Sequence, residues 1–125
     1  MATIKRFEDI EAWKKSRKLT GDVYRLTKSG PISRDFGLRD QIRRAAVSVM
    51  ANIAEGFGRK TNKDFAHFLY LSKASAMEVI SHLYVVVDQN YIDQHQFNSC
   101  RKGYQEIQNM LVKLIIYLER NPKPK

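Results

Sequence analysis

Three stretches of this chain repeat their apolar and small residues at alternating intervals of four and three. Helices packed along a shared seam hide such a pattern; strands do not. Ala12, Ser16, Leu19, Val23 and Leu26 make the first seam, and Phe65, Leu69, Ser72, Ala76, Val79, Leu83 and Val86 the second. Phe97, Cys100, Tyr104, Ile107, Leu111, Leu114 and Leu118 make the third. Successive members fall on one side of a helix, as in a coiled coil. A fourth helical stretch lies between the first two. There Ile42, Ala45, Ala46, Val49 and Ile53 share an apolar arc, and Gln41, Arg44, Ser48, Asn52 and Glu55 form a narrow polar arc directly beside it. Solvent-facing helices usually carry a wide charged face. A thin polar stripe flanked by alanines predicts a central helix with its polar groups paired inside. No stretch alternates with period two between turn signals, so no strand is expected.

Polar punctuation sets the limits. The first helix is predicted from about Glu8 to Lys28, ended by Ser29-Gly30-Pro31, and the second from Leu38 to Glu55, with Gly56 and Gly58 as stop signals. The third opens at Thr61, whose relation to Asp64 resembles a capping box, and runs to Gln89. The fourth opens at Asp93, with Gln96 in the same relation, and runs to Arg120. Short connections make successive helices antiparallel neighbours. The expected fold is therefore all-α, an up-down-up-down antiparallel four-helix bundle forming one domain over residues 1–120. Residues 121–125, Asn-Pro-Lys-Pro-Lys, are expected to be a disordered basic tail. A lone cysteine, Cys100, allows no intramolecular disulfide and suits a reducing compartment. The amino terminus lacks the apolar core of a signal peptide, and Lys113 interrupts the longest apolar run, Met110 to Leu118. A cytoplasmic protein, with no membrane partner, is the expectation.

Charge is where function is to be sought. Twenty-two Lys and Arg against thirteen Asp and Glu leave a net +9, unevenly spread. Residues 1–34 hold nine basic and four acidic side chains, a balance of +5; residues 61–90 hold two and three, a balance of −1. On the first helix Lys14, Arg17, Lys18, Arg25 and Lys28 point within about 40–60° of one direction, opposite the apolar seam. Such a stripe can follow a phosphate backbone by releasing condensed counterions; the alternative is a solvated face that keeps the protein soluble. A second basic group comprises Arg39, Arg43 and Arg44 with Arg59 and Lys60. The loop Gly56-Phe57-Gly58-Arg59-Lys60 could bind a phosphate through its backbone, with Phe57 stacked on a base. Alternatively it is a helix cap whose Phe57 packs back into the bundle.

The polar stripe has a structural explanation. Gln41, Ser48, Asn52 and Glu55 are expected to meet Ser75 and Glu78 of the third helix, with Arg44 countering Glu55 or Glu78, fixing helix register or a subunit contact. A catalytic carboxylate pair is the competing explanation, but no nucleophile lies nearby in the pattern. The Glu-x-x-His pairs of di-metal bundles are absent, and Glu78 with His82 would make only half a site. No metal, no cofactor and no catalysis are expected.

One long motif is specific. Phe36-Gly37-Leu38, Gln41-Ile42-Arg43-Arg44-Ala45, Ser48, Asn52-Ile53-Ala54-Glu55-Gly56 and Arg59 resemble the hallmark of the bacterial four-helix-bundle family named after intervening sequences in 23S rRNA genes. The likeness takes in Phe7, Trp13 and Tyr24 upstream and Phe65, Phe68, Ser75 and Glu78 downstream. Met50 stands where the family usually has Pro, and Ala74 where it often has Gly; a helix accepts both. The resemblance implies a four-helix bundle and ring-shaped homo-oligomers, typically pentamers. It extends to the accessory variability determinant of diversity-generating retroelements, which works with a reverse transcriptase and nucleic acid. Tyr24, Trp13, Phe36, Phe57 and Tyr70 exceed what a thin bundle must hide, which also points to self-association. A non-enzymatic, self-assembling basic bundle that binds nucleic acid, RNA in preference to DNA, is the leading expectation. A protein–protein adaptor whose basic surface meets an acidic partner is the alternative.

Overall fold

Each of the four apolar seams becomes one side of a helix in the computed structural model, which describes residues 4–121. The helices are α1 (Glu11–Leu26), α2 (Phe36–Phe57), α3 (Asn62–Asp88) and α4 (Gln94–Arg120). Two single turns of 3-10 helix, Phe7–Asp9 and Pro31–Arg34, precede α1 and α2. No strand occurs among the described residues.

Cross-helix contacts set the topology. Thr20 bonds to the Ala46 carbonyl while Thr27 meets Arg43, so α1 and α2 run in opposite directions. Ser72 donates to the Val49 carbonyl, and Ser48 meets Ser75, which makes α2 and α3 antiparallel. Tyr70 reaches Glu119 and Tyr84 packs on Phe97, opposing α3 and α4. Lys15 pairs with Glu106, close to where Leu19 lies over Gly103, and this closes α1 on α4. The bundle is therefore up-down-up-down. Each helix touches its two chain neighbours in the cycle, leaving α1 and α3 diagonal to one another.

The core follows the predicted seams, with Val23, Val49, Ile53, Leu69, Val79, Leu83, Tyr104, Ile107 and Leu111 fully buried. Seam serines are satisfied by backbone: Ser16 donates to the Ala12 carbonyl at 2.6 Å and Ser72 to Val49 at 2.7 Å. That removes the cost of an unpaired buried hydroxyl. Three expectations are corrected. On α4, Ile115 is buried and Leu114 only partly so, because a straight helix drifts from a 3.5-residue repeat over several turns. The first helix begins three residues later than expected, since Ile10 adopts extended backbone with its side chain buried. Gly56 is not a stop but a packing position within α2: a Cβ there would lie 2.7 Å from Phe68 Cβ, so only glycine lets α2 and α3 approach so closely.

Capping matches the polar punctuation. Asp93 and Gln96 form a full capping box, and Thr61 accepts from the Asp64 N–H at 3.1 Å without the reciprocal bond. Gly30, at φ +75, makes the turn into the second 3-10 segment. No helix among the described residues is long and apolar enough to cross a membrane. Most of the expected basic tail, from residue 122 onward, lies outside the described residues.

Candidate nucleic-acid interface

The seam between α1 and α2 gathers part of the predicted basic set and disperses the rest. Arg43 leaves α2 and crosses to α1, where its Nε donates to Thr27 Oγ1 at 2.8 Å and its guanidinium lies 4.5 Å from the Tyr24 ring centre. Thr27 can accept because its own hydroxyl donates to the Val23 carbonyl. One turn earlier on α2, Arg39 lies 4.9 Å from the Phe36 ring and donates to the Ser33 carbonyl. On α1, Arg17 sits over Trp13. Lys28 is exposed just past the end of α1, beside this group in sequence.

Other members are neutralised or turned away. Lys14 pairs with Glu11 at 3.2 Å, Arg25 with Asp22, and Arg39 with Asp40 at 3.0 Å. Arg25 and Asp22 face α4, lining a hollow with His95, Ser99 and Cys100. Lys15 is fully engaged by Glu106: the ammonium holds that carboxyl below its usual range. Arg59 pairs with Glu55 and stacks on Phe68, on the α3 side of the bundle, so the loop after α2 does not extend the α1 stripe. Lys60 is exposed in that loop. On the α1/α2 side and in the loop after α2, Arg17, Lys18, Lys28, Arg34, Arg43, Arg44 and Lys60 have no ion-pair partner among the described residues, and neither do Lys5, Lys63, Lys73, Arg101, Lys102, Lys113 and Arg120 elsewhere.

Phe57 packs against Phe65, with ring centres 6.0 Å apart, and lies partly buried on the core, which settles its two alternatives in favour of packing. Trp13 is likewise absorbed, edge-on to Phe7. Of the five aromatics expected on the surface, Tyr24, Phe36 and Tyr70 remain, at 42%, 62% and 47% exposure.

The polar stripe divides by side-chain length. Ser48 and Ser75 share a hydrogen bond of 2.9 Å, and Asn52 donates to both the carbonyl and the hydroxyl of Ser48. Gln41, Arg44, Glu55 and Glu78 are instead exposed. Arg44 and Glu78 line one surface hollow without pairing; Glu55 takes Arg59 and Glu78 takes His82. The expected role of Arg44 as their counter-ion is not realised. Long charged side chains reach water and avoid the desolvation cost of a buried pair, whereas serine and asparagine cannot reach and must bond locally.

On the diagonal, α3 carries the opposite character. Its outward side presents Tyr70, Leu71, Met77, Tyr84 and Val85. No group of three or more His, Cys, Asp or Glu that could hold a metal occurs among the described residues. The Cys100 thiol is buried, and burial pushes its pKa up to about 12. Sequence reasoning passed over Tyr24 and Phe36 as partners of arginine. Phe36 and Arg39 stand three apart on one helix and were legible; Tyr24 and Arg43 belong to different helices and were not.

Residues 8–113 match the family described as 23S rRNA-intervening sequence protein. A crystal structure of a protein of unknown function, from the S23 ribosomal protein family of Bacteroides thetaiotaomicron, is similar to this chain with a TM-score of 0.72. The two are 23% identical, and the match covers 83% of this chain and 97% of the other. That likeness is one of fold. No curated protein matches this chain.

Proposed function

This chain belongs to the 23S rRNA-intervening sequence protein family, and from that membership we propose a non-enzymatic, cytoplasmic, self-assembling bundle that binds RNA through phosphate contacts along the α1/α2 seam. One observation carries the proposal: the α1/α2 side holds the larger share of unpaired cations, and the diagonal α3 the larger share of exposed apolar side chains. Arg17, Lys18, Lys28, Arg34, Arg43 and Arg44, all without an ion-pair partner among the described residues, lie along α1 and the start of α2, and α4 adds Arg101, Lys102, Lys113 and Arg120. The diagonal α3 carries only Lys63 and Lys73, its segment has a balance of −1, and it exposes large apolar side chains. A protein that used +9 only for solubility would have no need to sort its surface in this way. The apolar corner suits contact with further copies of the chain, and each added subunit multiplies the field at the basic corner. The family's name links it with 23S rRNA, which favours RNA over DNA as the polyanion.

Fluorescence anisotropy with a labelled structured RNA tests this at about 50 and 200 mM salt. Micromolar or tighter binding that weakens by orders of magnitude at the higher salt is the expected result. No binding at the lower salt refutes it, and directs the search to an acidic protein partner for the same basic surface.

A further inference from the structure

Phosphate contact alone does not account for two aromatic rings standing in water beside the cations. Tyr24 and Phe36 are 42% and 62% exposed, and each is faced by a guanidinium, Arg43 at 4.5 Å and Arg39 at 4.9 Å. The arginines are held from behind: Arg43 by Thr27, Arg39 by the Ser33 carbonyl and by Asp40. Both planes are thus fixed before any ligand arrives. Arg39 and Arg43 are four residues apart on α2, so both side chains leave the same face of the helix. Rings and guanidinium planes are the surfaces on which unpaired bases stack, and Arg43 has no acidic partner among the described residues to compete with a phosphate. A duplex keeps its bases inside and offers neither ring a stacking partner.

Building on the RNA-binding proposal, we infer that Tyr24 and Phe36, with Arg43 and Arg39, form a two-ring stacking site for unpaired bases. The protein therefore prefers single-stranded or looped RNA to duplex. Base stacking was one of two alternatives the sequence left open for Phe57, which the bundle takes up in packing against Phe65.

The test compares a single RNA strand of about 16 nucleotides with a blunt RNA duplex of the same length, by anisotropy at one salt concentration. Wild-type protein, Tyr24→Leu, Phe36→Leu, the double variant and Tyr24→Phe are compared, with assembly mass followed by sedimentation. Wild type is expected to bind the strand more tightly. Each leucine variant should lose about tenfold on the strand, little on the duplex, and nothing in salt slope; Tyr24→Phe should retain strand affinity because the ring remains. Equal strand and duplex binding by wild type, or leucine variants that bind the strand like wild type, overturns the stacking site while leaving phosphate binding intact. Leucine variants that change assembly mass and weaken strand and duplex alike assign the rings to a subunit contact, and also overturn it. Failure of wild type to bind either RNA removes the underlying RNA-binding proposal as well.

Discussion

Replacing Gly56 with alanine tests the closest approach in the bundle. The added Cβ would lie 2.7 Å from Phe68 Cβ, 3.0 Å from Phe65 Cδ1 and 3.2 Å from the Phe65 carbonyl oxygen. Carbon atoms rest about 3.5–4.0 Å apart. A Cβ cannot swing aside by changing rotamer, so α2 and α3 must part by about 1 Å, loosening the buried Phe65 and Ile53 alongside. Overpacking costs about 1–3 kcal/mol, and a contact this short against atoms that cannot turn aside belongs at the upper end, about 2–3 kcal/mol. Alanine returns up to about 1 kcal/mol through its better helix propensity. The net loss is about 1–2 kcal/mol, or about 4–8 °C in Tm for a chain of this length. Two further glycines supply the scale. At Gly103 an added Cβ meets Leu19 Cδ2 at 2.7 Å and Cδ1 at 2.8 Å, the end of a buried side chain that can turn aside by changing rotamer, so Gly103→Ala should cost less than Gly56→Ala. At Gly37 it meets nothing within 4 Å, and Gly37→Ala should stabilise by about 0.5–1 kcal/mol. Thermal melts followed by circular dichroism at one protein concentration give the order Gly37→Ala above wild type, then Gly103→Ala, then Gly56→Ala. A Gly56→Ala protein as stable as wild type would refute the claim that glycine sets the α2–α3 distance.

Two further expectations concern the interior. Ser48→Ala and Ser75→Ala should each cost about 0.5–1.5 kcal/mol in urea unfolding, since each strands a partly buried hydroxyl or the Asn52 amide. The double variant should cost less than the two together, and strict additivity would show that the pair is not coupled. Burial holds the Cys100 thiol at about 12 against an ordinary 9.0, so the folded thiol stays protonated where the unfolded one ionises. Its contribution is therefore complete below pH 9 and falls by about 1.4 kcal/mol for each pH unit above it, until the folded thiol ionises. Cys100→Ala should fall less steeply than wild type between about pH 8 and 10; parallel curves would mean that the thiol is not held neutral.

Most of the fold was legible because seams leave periodic traces. Ala12 to Val23, Phe65 to Val86 and Phe97 to Leu111 read directly as buried faces. Leu114 was misplaced because a heptad template run over seven members departs from the pitch of a straight helix. Gly56 read as a stop because glycine commonly follows a helix; only the neighbouring Phe68 shows that it is needed for contact. The candidate site was less legible. The stripe on α1 was visible as a set of positions, but acids at short helical spacing, Glu11 for Lys14 and Asp22 for Arg25, remove some of its charge. Those pairs could have been read from the sequence. Arg43 with Tyr24 and Lys15 with Glu106 are contacts between helices, and no local pattern announces them.

The measurement that bears most directly on the basic corner is the slope of log affinity against log salt, for a structured RNA. Wild-type protein is compared with a variant carrying Arg17→Gln, Lys18→Gln and Lys28→Gln, and with a control carrying Lys102→Gln, Lys113→Gln and Arg120→Gln on α4. Each phosphate contact contributes about 0.7–0.9 to the slope. The α1 variant should therefore be flatter by about 2, with helicity unchanged, while the α4 control keeps the wild-type slope. Equal slopes in all three proteins, or an α4 control that flattens as much as the α1 variant, would contradict the assignment of phosphate binding to the α1/α2 seam.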